Sequence, residues 1–335
     1  MRIGFNPYKD QPQESSEYLH QIIIPVFIPN QEGYFADSLR ILKLCLESLF
    51  ATTHSKTYIT IVNNGSDAVV VNYLDSLLQA QKIHELIHTT NIGKVNAILK
   101  GIVGNNIELV TIADSDVLFL SHWQQETDKI YASIPKAGVV GIVPQYRTFM
   151  TRCENILWDK LLDKNLKFLP VKNPKALENF YKSIGWTECV PNYHKLALGY
   201  EAPNGLKVYL GSGHFVATYK KDMFDEIVTY IGFKMGGLSE DYLDQCPLKK
   251  DYWRLTTYDN FAYHMGNVYE DWMGDITHTN DENYEFGSNF PTFKPIHKIE
   301  YFFKTKVIKR ILKSKKARML FYRFKKMPQE MIAKY

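Results

Sequence analysis

The sequence contains little cysteine and no long apolar run. No uninterrupted apolar stretch reaches the roughly 20 residues that a membrane-spanning helix needs, so we expect no transmembrane segment. The first twenty residues are polar, and we expect no signal peptide there. The cysteines form no C-x-x-C pair and no metal-site spacing with histidine, which argues against a disulfide scaffold and indicates free thiols in the cytoplasm. They are Cys45, Cys153, Cys189 and Cys246.

Charge of one sign is almost absent from the end of the chain. Residues 294–335 contain fourteen Lys or Arg and two Glu, so the net charge of this segment is +12. Because the net charge of the whole chain is +4, residues 1–293 have a net charge of −8. The 45% apolar and 23% charged content is that of an ordinary globular protein. The composition therefore indicates an acidic body followed by a basic tail.

Hydrophobic periodicity predicts alternating strands and helices in the first half. Apolar, β-branched runs predict strands, and leucines at helical spacing predict helices between them. The predicted strands include 21–30, 57–67, 107–113 and 137–145, and the predicted helices include 36–53 and 122–134. This order is typical of an α/β fold with a mainly parallel sheet flanked by helices.

The second half gives weaker signals. Residues 146–206 are irregular, 206–227 predict strand, turn, strand and helix, and 251–267 predict a strand ending near His264. We expect four parts, namely an N-terminal extension (1–20), a first half of alternating strands and helices (21–145), a less regular second half (146–293) and a helical tail (294–335).

Polar clusters follow the predicted strands, where ligands bind in parallel α/β sheets. The fourth strand ends in "ADSD", and side chains at i and i+2 of an extended segment share a face, so Asp114 and Asp116 should converge. Mg²⁺ or Mn²⁺ takes such carboxylates together with substrate phosphates. The pattern predicts a metal site that binds a diphosphate, although a solvated strand end with Asp114 capping a turn has the same sequence.

Seven segments follow one another along the chain, namely "IIIPVFIPN", "IVNNGSD", "NIGKVNAILKG", "ADSD", "GSGHFVATYKKDMF", "SEDYLD" and "YHMGN". In this order they resemble the motifs of nucleotide-sugar glycosyltransferases of the GT-A fold, most closely glycosyltransferase family 2. The resemblance extends from about residue 21 to 267 and implies the Rossmann-like GT-A fold. It implies that residues 21–145 form a nucleotide-sugar-binding half and that residues 146–293 form an acceptor-binding and catalytic half. It also implies a nucleotide-sugar donor, UDP-linked or another, and Mn²⁺ or Mg²⁺ as cofactor.

The resemblance assigns residues to the donor site. It implies that Pro25, Phe27 and Asn63 hold the base and ribose, and Asn63 stands where the family usually has aspartate, so the base stays open. It also implies three residues near the diphosphate and one glycine that borders the donor sugar. These are Asn91, Gly93, Lys94 and Gly213.

The resemblance also assigns the metal and the catalytic base. It implies that Asp116 ligates the metal directly, that Asp114 acts through ribose or a metal-bound water, and that His264 is a further ligand. Asp241 would be the base and Glu240 would orient the acceptor. The processive Q-x-x-R-W motif is missing, which favours addition of a single sugar.

Each assignment has a structural alternative. "NNGSD" and "GSGHF" also fit plain turns, His264 fits a packed histidine, and acidic residues suit the first turn of a helix. Lys94 also fits a surface lysine at a helix start. Three tryptophans are either flat platforms for sugars or core residues, namely Trp186, Trp253 and Trp272.

The basic tail predicts an amphipathic helix. Ile299, Phe303, Val307 and Ile311 recur at four-residue steps among lysines and arginines, which is typical of a helix on an anionic membrane surface. We expect residues 294–326 to bind the inner face of the plasma membrane; packing on the body or a homo-oligomer is an alternative, and we expect no nucleic-acid partner.

The resemblance implies a metal-dependent, inverting hexosyltransferase that adds one sugar to a lipid-linked or cell-surface glycan. A sugar-phosphate nucleotidyltransferase shares the sheet, but its loop after the first strand carries Arg and Lys, and "PNQEGYFADS" has neither. A third reading is a non-catalytic scaffold protein that the tail recruits to a membrane.

Overall fold

The first half of the chain alternates strands and helices, as its periodicity predicts. The computed structural model describes residues 4–13, 16–186, 191–225, 228–277, 279, 284–333 and 335. The strands of this half are β1 (His20–Val26), β2 (Thr57–Asn63), β3 (Glu85–His88), β4 (Leu109–Ala113), β5 (Val117–Phe119) and β6 (Ala137–Gly141). The helices are α1 (Ser38–Thr52), α2 (Ala68–Gln79), α3 (Lys94–Ile102) and α4 (Trp123–Ser133).

The first strand is buried on both faces. Ile22 and Ile24 pack with Leu42 of α1 on one side of the sheet, whereas Ile23 packs with Ile98 of α3 on the other. Successive side chains of a strand point to opposite faces, so a continuous apolar run is what two covering layers of helices require.

The second half is more regular than its sequence predicts. Its elements are α5 (Glu154–Asp159), β7 (Leu166–Pro170), α6 (Pro174–Ser183), β8 (Leu196–Glu201), β9 (Lys207–Leu210), β10 (Val216–Lys220), α7 (Gly237–Lys249), β11 (Trp253–Thr257) and β12 (Ala262–His264). The strands β7 and β8 lie in the stretch 146–206 that the sequence left irregular. Because they are short and lie at the edge of the sheet, their alternating pattern is weak.

Two predictions for the second half were wrong. The helix expected after β10 is one 3₁₀ turn, Lys221–Phe224. The single strand expected over 251–267 is two, because β11 joins the large sheet whereas β12 pairs with β5 in a separate one. Residues 258–261 separate the two strands.

One large sheet contains strands of both halves. In the described part of the chain its order is β3-β2-β1-β4-β10-β6-β11-β9-β8-β7. The strands β3, β2, β1 and β4 are parallel, β10 is antiparallel to both β4 and β6, and β11 is parallel to β6. The mainly parallel sheet with helices on its faces confirms the predicted fold class, whereas the expected domain boundaries stay predictions.

The tail is helical, but it is not one continuous helix. Its helices are α8 (Lys298–Tyr301), a π-helical segment (Phe302–Val307), α9 (Ile308–Lys313), α10 (Lys315–Phe324) and α11 (Gln329–Ile332). Ser314 has extended backbone angles and separates α9 from α10. The inner face carries Ile308, Leu312, Phe321 and Tyr322, which pack into the core beneath β7 and β8.

Three cysteines are buried free thiols, namely Cys45, Cys153 and Cys246, while Cys189 lies outside the described residues.

None of the helices in the described ranges has both the length and the apolar character needed to cross a bilayer.

Candidate active site

A cavity of about 400 Å³ opens at the carboxyl ends of β1 and β4. It brings together six of the predicted residues: Pro25, Phe27, Lys94, Asp114, Asp116 and His264. Phe27 contacts Phe35 edge to face, and Tyr34 lines the same cavity. A cavity lined by both aromatic and charged side chains suits a ligand with a flat base and an anionic group.

Asp116 and His264 face each other in this cavity. His264 Nε2 lies 3.4 Å from Asp116 Oδ2, and its Nδ1 lies 2.9 Å from Ser183 Oγ. The second carboxylate oxygen of Asp116 is buried and has no hydrogen-bond partner. Burial, with Asp114 adding to it, raises the pKa of Asp116 to about 6, although His264 and Lys94 oppose the shift. A carboxylate with an unpaired oxygen beside an imidazole nitrogen can accept a cation.

Asp114 faces Lys94 rather than His264. Lys94 Nζ lies 2.6 Å from Asp114 Oδ1 and 3.2 Å from Glu240 Oε1, so one ammonium joins β4 to the first turn of α7. Burial alone would lower the pKa of Lys94, but these two carboxylates raise it above its ordinary value. The two aspartates of "DSD" line one cavity, as expected, but they have different partners.

Glu240 continues this chain of charges toward the core. His214 Nδ1 lies 3.8 Å from Glu240 Oε2, and its Nε2 lies 2.7 Å from Asp244 Oδ1. Asp244 also pairs with the buried Arg254 at 2.5 Å. The network fixes the first turn of α7 against the turn before β10, and it therefore sets where Glu240 points.

Asp241 does not line the cavity, and its partners lie outside this network. Arg152 holds it through Nη2 at 2.5 Å and Nε at 3.1 Å, and Gln245 donates a further hydrogen bond. Partial burial would raise the pKa of Asp241, but these hydrogen bonds and the charge of Arg152 lower it below its ordinary value. The side chain is 39% exposed, so Asp241 is an ionised, oriented carboxylate that an incoming group can reach.

Residues 23–180 match the family model described as Glycosyl transferase family 2. This segment, the family 2 region, covers a little under half of the chain and is similar to glycosyltransferase family 2. Together with the sheet described above, the match establishes the GT-A fold and supports a nucleotide-sugar glycosyltransferase. The family 2 region supplies the aromatic wall, Lys94 and both aspartates of the cavity, whereas Glu240, Asp241 and His264 lie beyond it.

Solved structures of glycosyltransferases resemble the chain weakly. TarS from S. aureus has 10% identity and a TM-score of 0.43 over 75% of this chain and 37% of TarS. TarS 1-349 in complex with UDP-GlcNAc has 10% identity and 0.44 over 91% and 71%. The mannosyltransferase PcManGT from Pyrobaculum calidifontis, in complex with GDP-Man and Mn2+, has 13% identity and 0.41 over 76% and 59%. The chain thus spans little more than a third of full-length TarS. No curated protein matches it.

Asn63 lies outside the lining of the cavity in the family 2 region. Its side chain lies 2.9 Å from His88 Nδ1 and accepts a hydrogen bond from Ser66 N at 3.0 Å. Asn64 lines the cavity instead and also accepts a hydrogen bond from Ile92 N. The sequence offers two adjacent asparagines, and only the direction of the side chains at the end of β2 distinguishes them.

Three further predicted residues lie near the cavity without lining it. Asn91 accepts a hydrogen bond from Gly93 N at 3.2 Å. Gly93 has φ +91°, and a Cβ there would lie 3.0 Å from backbone atoms of Phe233 and Lys234, so a glycine is needed for this approach. Gly213 packs against the side chain of Gln145. These positions shape the loops around the site.

Sequence reasoning missed several residues of the site, among them Tyr34, Asn64, Arg152, His214 and Met235. Arg152 and His214 act through ion pairs with α7, and no local spacing signals such a pairing. The three tryptophans divide, because Trp253 is buried in the core whereas Trp186 and Trp272 are partly exposed.

Replacing Lys94 with Met should lower the free energy of unfolding by about 2–4 kcal/mol, because Asp114 and Glu240 would then face each other without the intervening cation. Denaturant unfolding measures this loss. Lys94→Arg keeps the charge and should retain most of the stability. A Met variant as stable as the parent would show that the two carboxylates do not depend on Lys94.

Proposed function

We propose that the protein transfers one sugar from a nucleotide-sugar donor to a glycan acceptor, with inversion at the anomeric carbon. The observation that carries the proposal is the cavity in the family 2 region, which aromatic side chains line together with Lys94, Asp114 and Asp116. The base and ribose would bind along Phe27 and Tyr34, and the diphosphate would lie near Lys94. The sugar would then extend toward α7.

The residues present suit a divalent cation. Asp116 has a buried oxygen without a partner, and His264 offers an imidazole nitrogen beside it. Within the described residues no group of three or more metal-ligating side chains occurs, so Mn²⁺ or Mg²⁺ would also need oxygens of the diphosphate or water. When bound, such a cation supplies positive charge beside the leaving diphosphate. Asp114 would keep Lys94 at the same place.

The reaction is a single displacement. The acceptor oxygen forms a bond to the anomeric carbon, the bond from that carbon to the diphosphate oxygen breaks, and its electron pair leaves with the diphosphate. The proton of the acceptor hydroxyl passes to Asp241, which Arg152 keeps ionised and oriented. Lys94 stabilises the charge that grows on the diphosphate. Attack opposite the leaving group inverts the anomeric carbon.

The acceptor is proposed to be a lipid-linked or cell-surface glycan that the protein meets in the cytoplasm, at the inner face of the plasma membrane. The absence of a Q-x-x-R-W motif in the sequence supports transfer of a single sugar, and a hexose is the proposed donor sugar. The nucleotidyltransferase alternative finds no support at the loop after β1, because Tyr34 and Phe35 line the cavity there and no Arg or Lys does.

A panel of nucleotide sugars with and without Mn²⁺ tests the proposal. A preferred donor should raise the melting temperature in the presence of Mn²⁺, because a ligand at about 100 times its Kd stabilises the folded state by roughly 2.7 kcal/mol. The nucleoside diphosphate alone should give a smaller shift. The same panel should show slow Mn²⁺-dependent release of nucleoside diphosphate, which a binding scaffold would not produce. If no nucleotide changes the melting temperature, the proposal fails.

A further inference from the structure

The outer face of the tail carries an apolar groove. The groove has a volume of about 380 Å³ and lies between the end of α5, α9 and α10. Its apolar lining includes side chains that stand largely in solvent, since Leu162 is 85% exposed, Leu320 67% and Phe324 55%. Large apolar side chains gathered at one exposed place mark an interaction surface rather than an ordinary protein surface.

The groove is fixed to the body of the protein. Lys325 is buried and donates hydrogen bonds to Lys160 O and Asp163 O, the carbonyls on either side of Leu161 and Leu162. Lys304 pairs with Asp159 at the end of α5. The alternative in which the tail packs on the body is therefore correct for its inner face, and it leaves the outer face uncovered.

The predicted apolar stripe belongs to this outer face. Ile299, Phe303 and Ile311 are exposed, and Val307 is half-buried. The body covers the neighbouring stripe that contains Lys304, Ile308 and Leu312. The sequence pattern thus identified apolar residues that face away from the protein. A helix whose two apolar stripes face different sides can contact the body and a second surface at once.

The same two helices carry a dense positive charge. No Asp or Glu occurs between residues 301 and 329 of the sequence, so no acidic side chain within these helices offsets it. The exposed cations of α9 and α10 are Lys309, Arg310, Lys313, Lys315, Lys316 and Arg323. Exposed leucines and phenylalanines surrounded by lysines and arginines match a surface that is anionic outside and apolar beneath.

We propose that this groove and its cations dock the protein on an anionic phospholipid bilayer, with Leu162, Leu320 and Phe324 inserted among the lipid chains. Charge complementarity selects the lipid, because the phosphates of an anionic headgroup layer lie directly above an apolar interior. A nucleic acid would pair with the cations but would leave the apolar groove uncovered. The proposal concerns a surface remote in sequence from the donor cavity and does not depend on the proposed reaction.

Vesicle co-sedimentation of the full chain tests the docking. The protein should bind vesicles of phosphatidylcholine mixed with phosphatidylglycerol much more tightly than vesicles of phosphatidylcholine alone. The triple variant Arg310→Gln, Lys313→Gln, Lys316→Gln should bind the anionic vesicles roughly a hundredfold more weakly, since each cation near the surface contributes about fivefold. The matched triple Lys56→Gln, Lys82→Gln, Lys100→Gln, on exposed lysines of the body, should bind as the parent does.

A double variant, the groove pair, tests the contribution of the apolar groove to vesicle binding. Leu320→Gln with Phe324→Gln keeps every charge and should weaken binding by at least about tenfold, because two partly inserted side chains lose their apolar contact. Circular dichroism should show that this double variant is folded like the parent, because both replaced side chains are exposed. Absence of binding to anionic vesicles, or binding that the groove pair leaves unchanged, overturns the proposal. Self-association that the groove pair abolishes, without vesicle binding, would instead identify a second copy as the occupant.

Discussion

Replacing Asp241 with Asn is expected to lower the rate of sugar transfer by at least about a hundredfold while donor binding stays unchanged, because a positioned general base contributes roughly 10²–10⁴ in rate. Asparagine fills the same space and can still accept a hydrogen bond from Arg152, but it cannot take the acceptor proton. Steady-state kinetics should therefore show a lower kcat. The donor-induced shift in melting temperature should match that of the parent.

The control for this prediction is Asp225→Asn. Asp225 is also an exposed carboxylate in an ion pair, since its Oδ2 lies 2.8 Å from Lys250 Nζ, and it has no contact with the donor cavity. That variant should keep the parental kcat. Glu240→Gln separates the two neighbouring carboxylates of α7, because Glu240 should affect donor binding through Lys94. Full activity in Asp241→Asn, with a large loss of kcat alone in Glu240→Gln, would transfer the role of base to Glu240.

Arg152 gives the assignment a pH signature. Because Arg152 lowers the pKa of Asp241, replacing it with Gln should return that pKa toward its ordinary value. The acidic limb of the profile of kcat/KM against pH should then move to higher pH, since the base is protonated sooner as the pH falls. A merely structural role for Arg152 would lower activity at every pH and leave the limb where it was.

Much of the fold was predictable because its apolar pattern is local. The isoleucines of β1 and the leucines of α1 define their elements without reference to the rest of the chain, and the structure confirms both. The one-turn helix after β10 and the division of β11 from β12 were not predictable in this way. There the chain's path depends on which sheet a strand joins, and that choice rests on distant partners such as β5 and β6.

The sequence allowed us to predict several of the residues that line the cavity, but not which of them form ion pairs with each other. The spacing of Asp114 and Asp116 brings both to one cavity, as expected. Their partners come from far along the chain, namely Lys94 with Glu240 for one and His264 for the other. No spacing in the sequence states which carboxylate receives the lysine. The pairing follows from how α3 and α7 meet over the end of β4.

The tail illustrates the same limit. Residues four apart share a helix face, so the apolar stripe that begins at Ile299 was recognisable in the sequence. A helix with two apolar stripes can, however, pack either stripe against the body. Lys304 decides the matter, because it reaches the buried Asp251 and Asp159. A buried lysine is stable only where carboxylates lie within ion-pair distance of its ammonium group. Asp159 and Asp251 are both far from Lys304 in the sequence.

Replacing Asp116 with Asn is expected to raise the stability of the free protein at neutral pH and to abolish its response to Mn²⁺. The pKa of Asp116 in the folded protein is about 6, above the ordinary value of 3.8, so folding favours the protonated form. The loss of unfolding free energy that the ionised carboxylate causes is absent below about pH 4 and reaches its full size above about pH 6. Since 27% of the side chain is exposed, we expect a gain of roughly 1–2 kcal/mol at pH 7, measured by denaturant unfolding.

The metal response should show the opposite dependence on pH. A cation must compete with the proton for Asp116, so Mn²⁺ should raise the melting temperature of the parent above pH 6 and lose this effect as the pH falls below it. Asp75→Asn is the matched control, because Asp75 also faces a histidine, His88, at 3.1 Å, but in an exposed pair away from the cavity. That change should leave both stability and the Mn²⁺ response within about 0.5 kcal/mol of the parent. A variant Asp116→Asn that is less stable than the parent and still responds to Mn²⁺ would remove Asp116 from the metal site, and the unpaired oxygen would need another explanation.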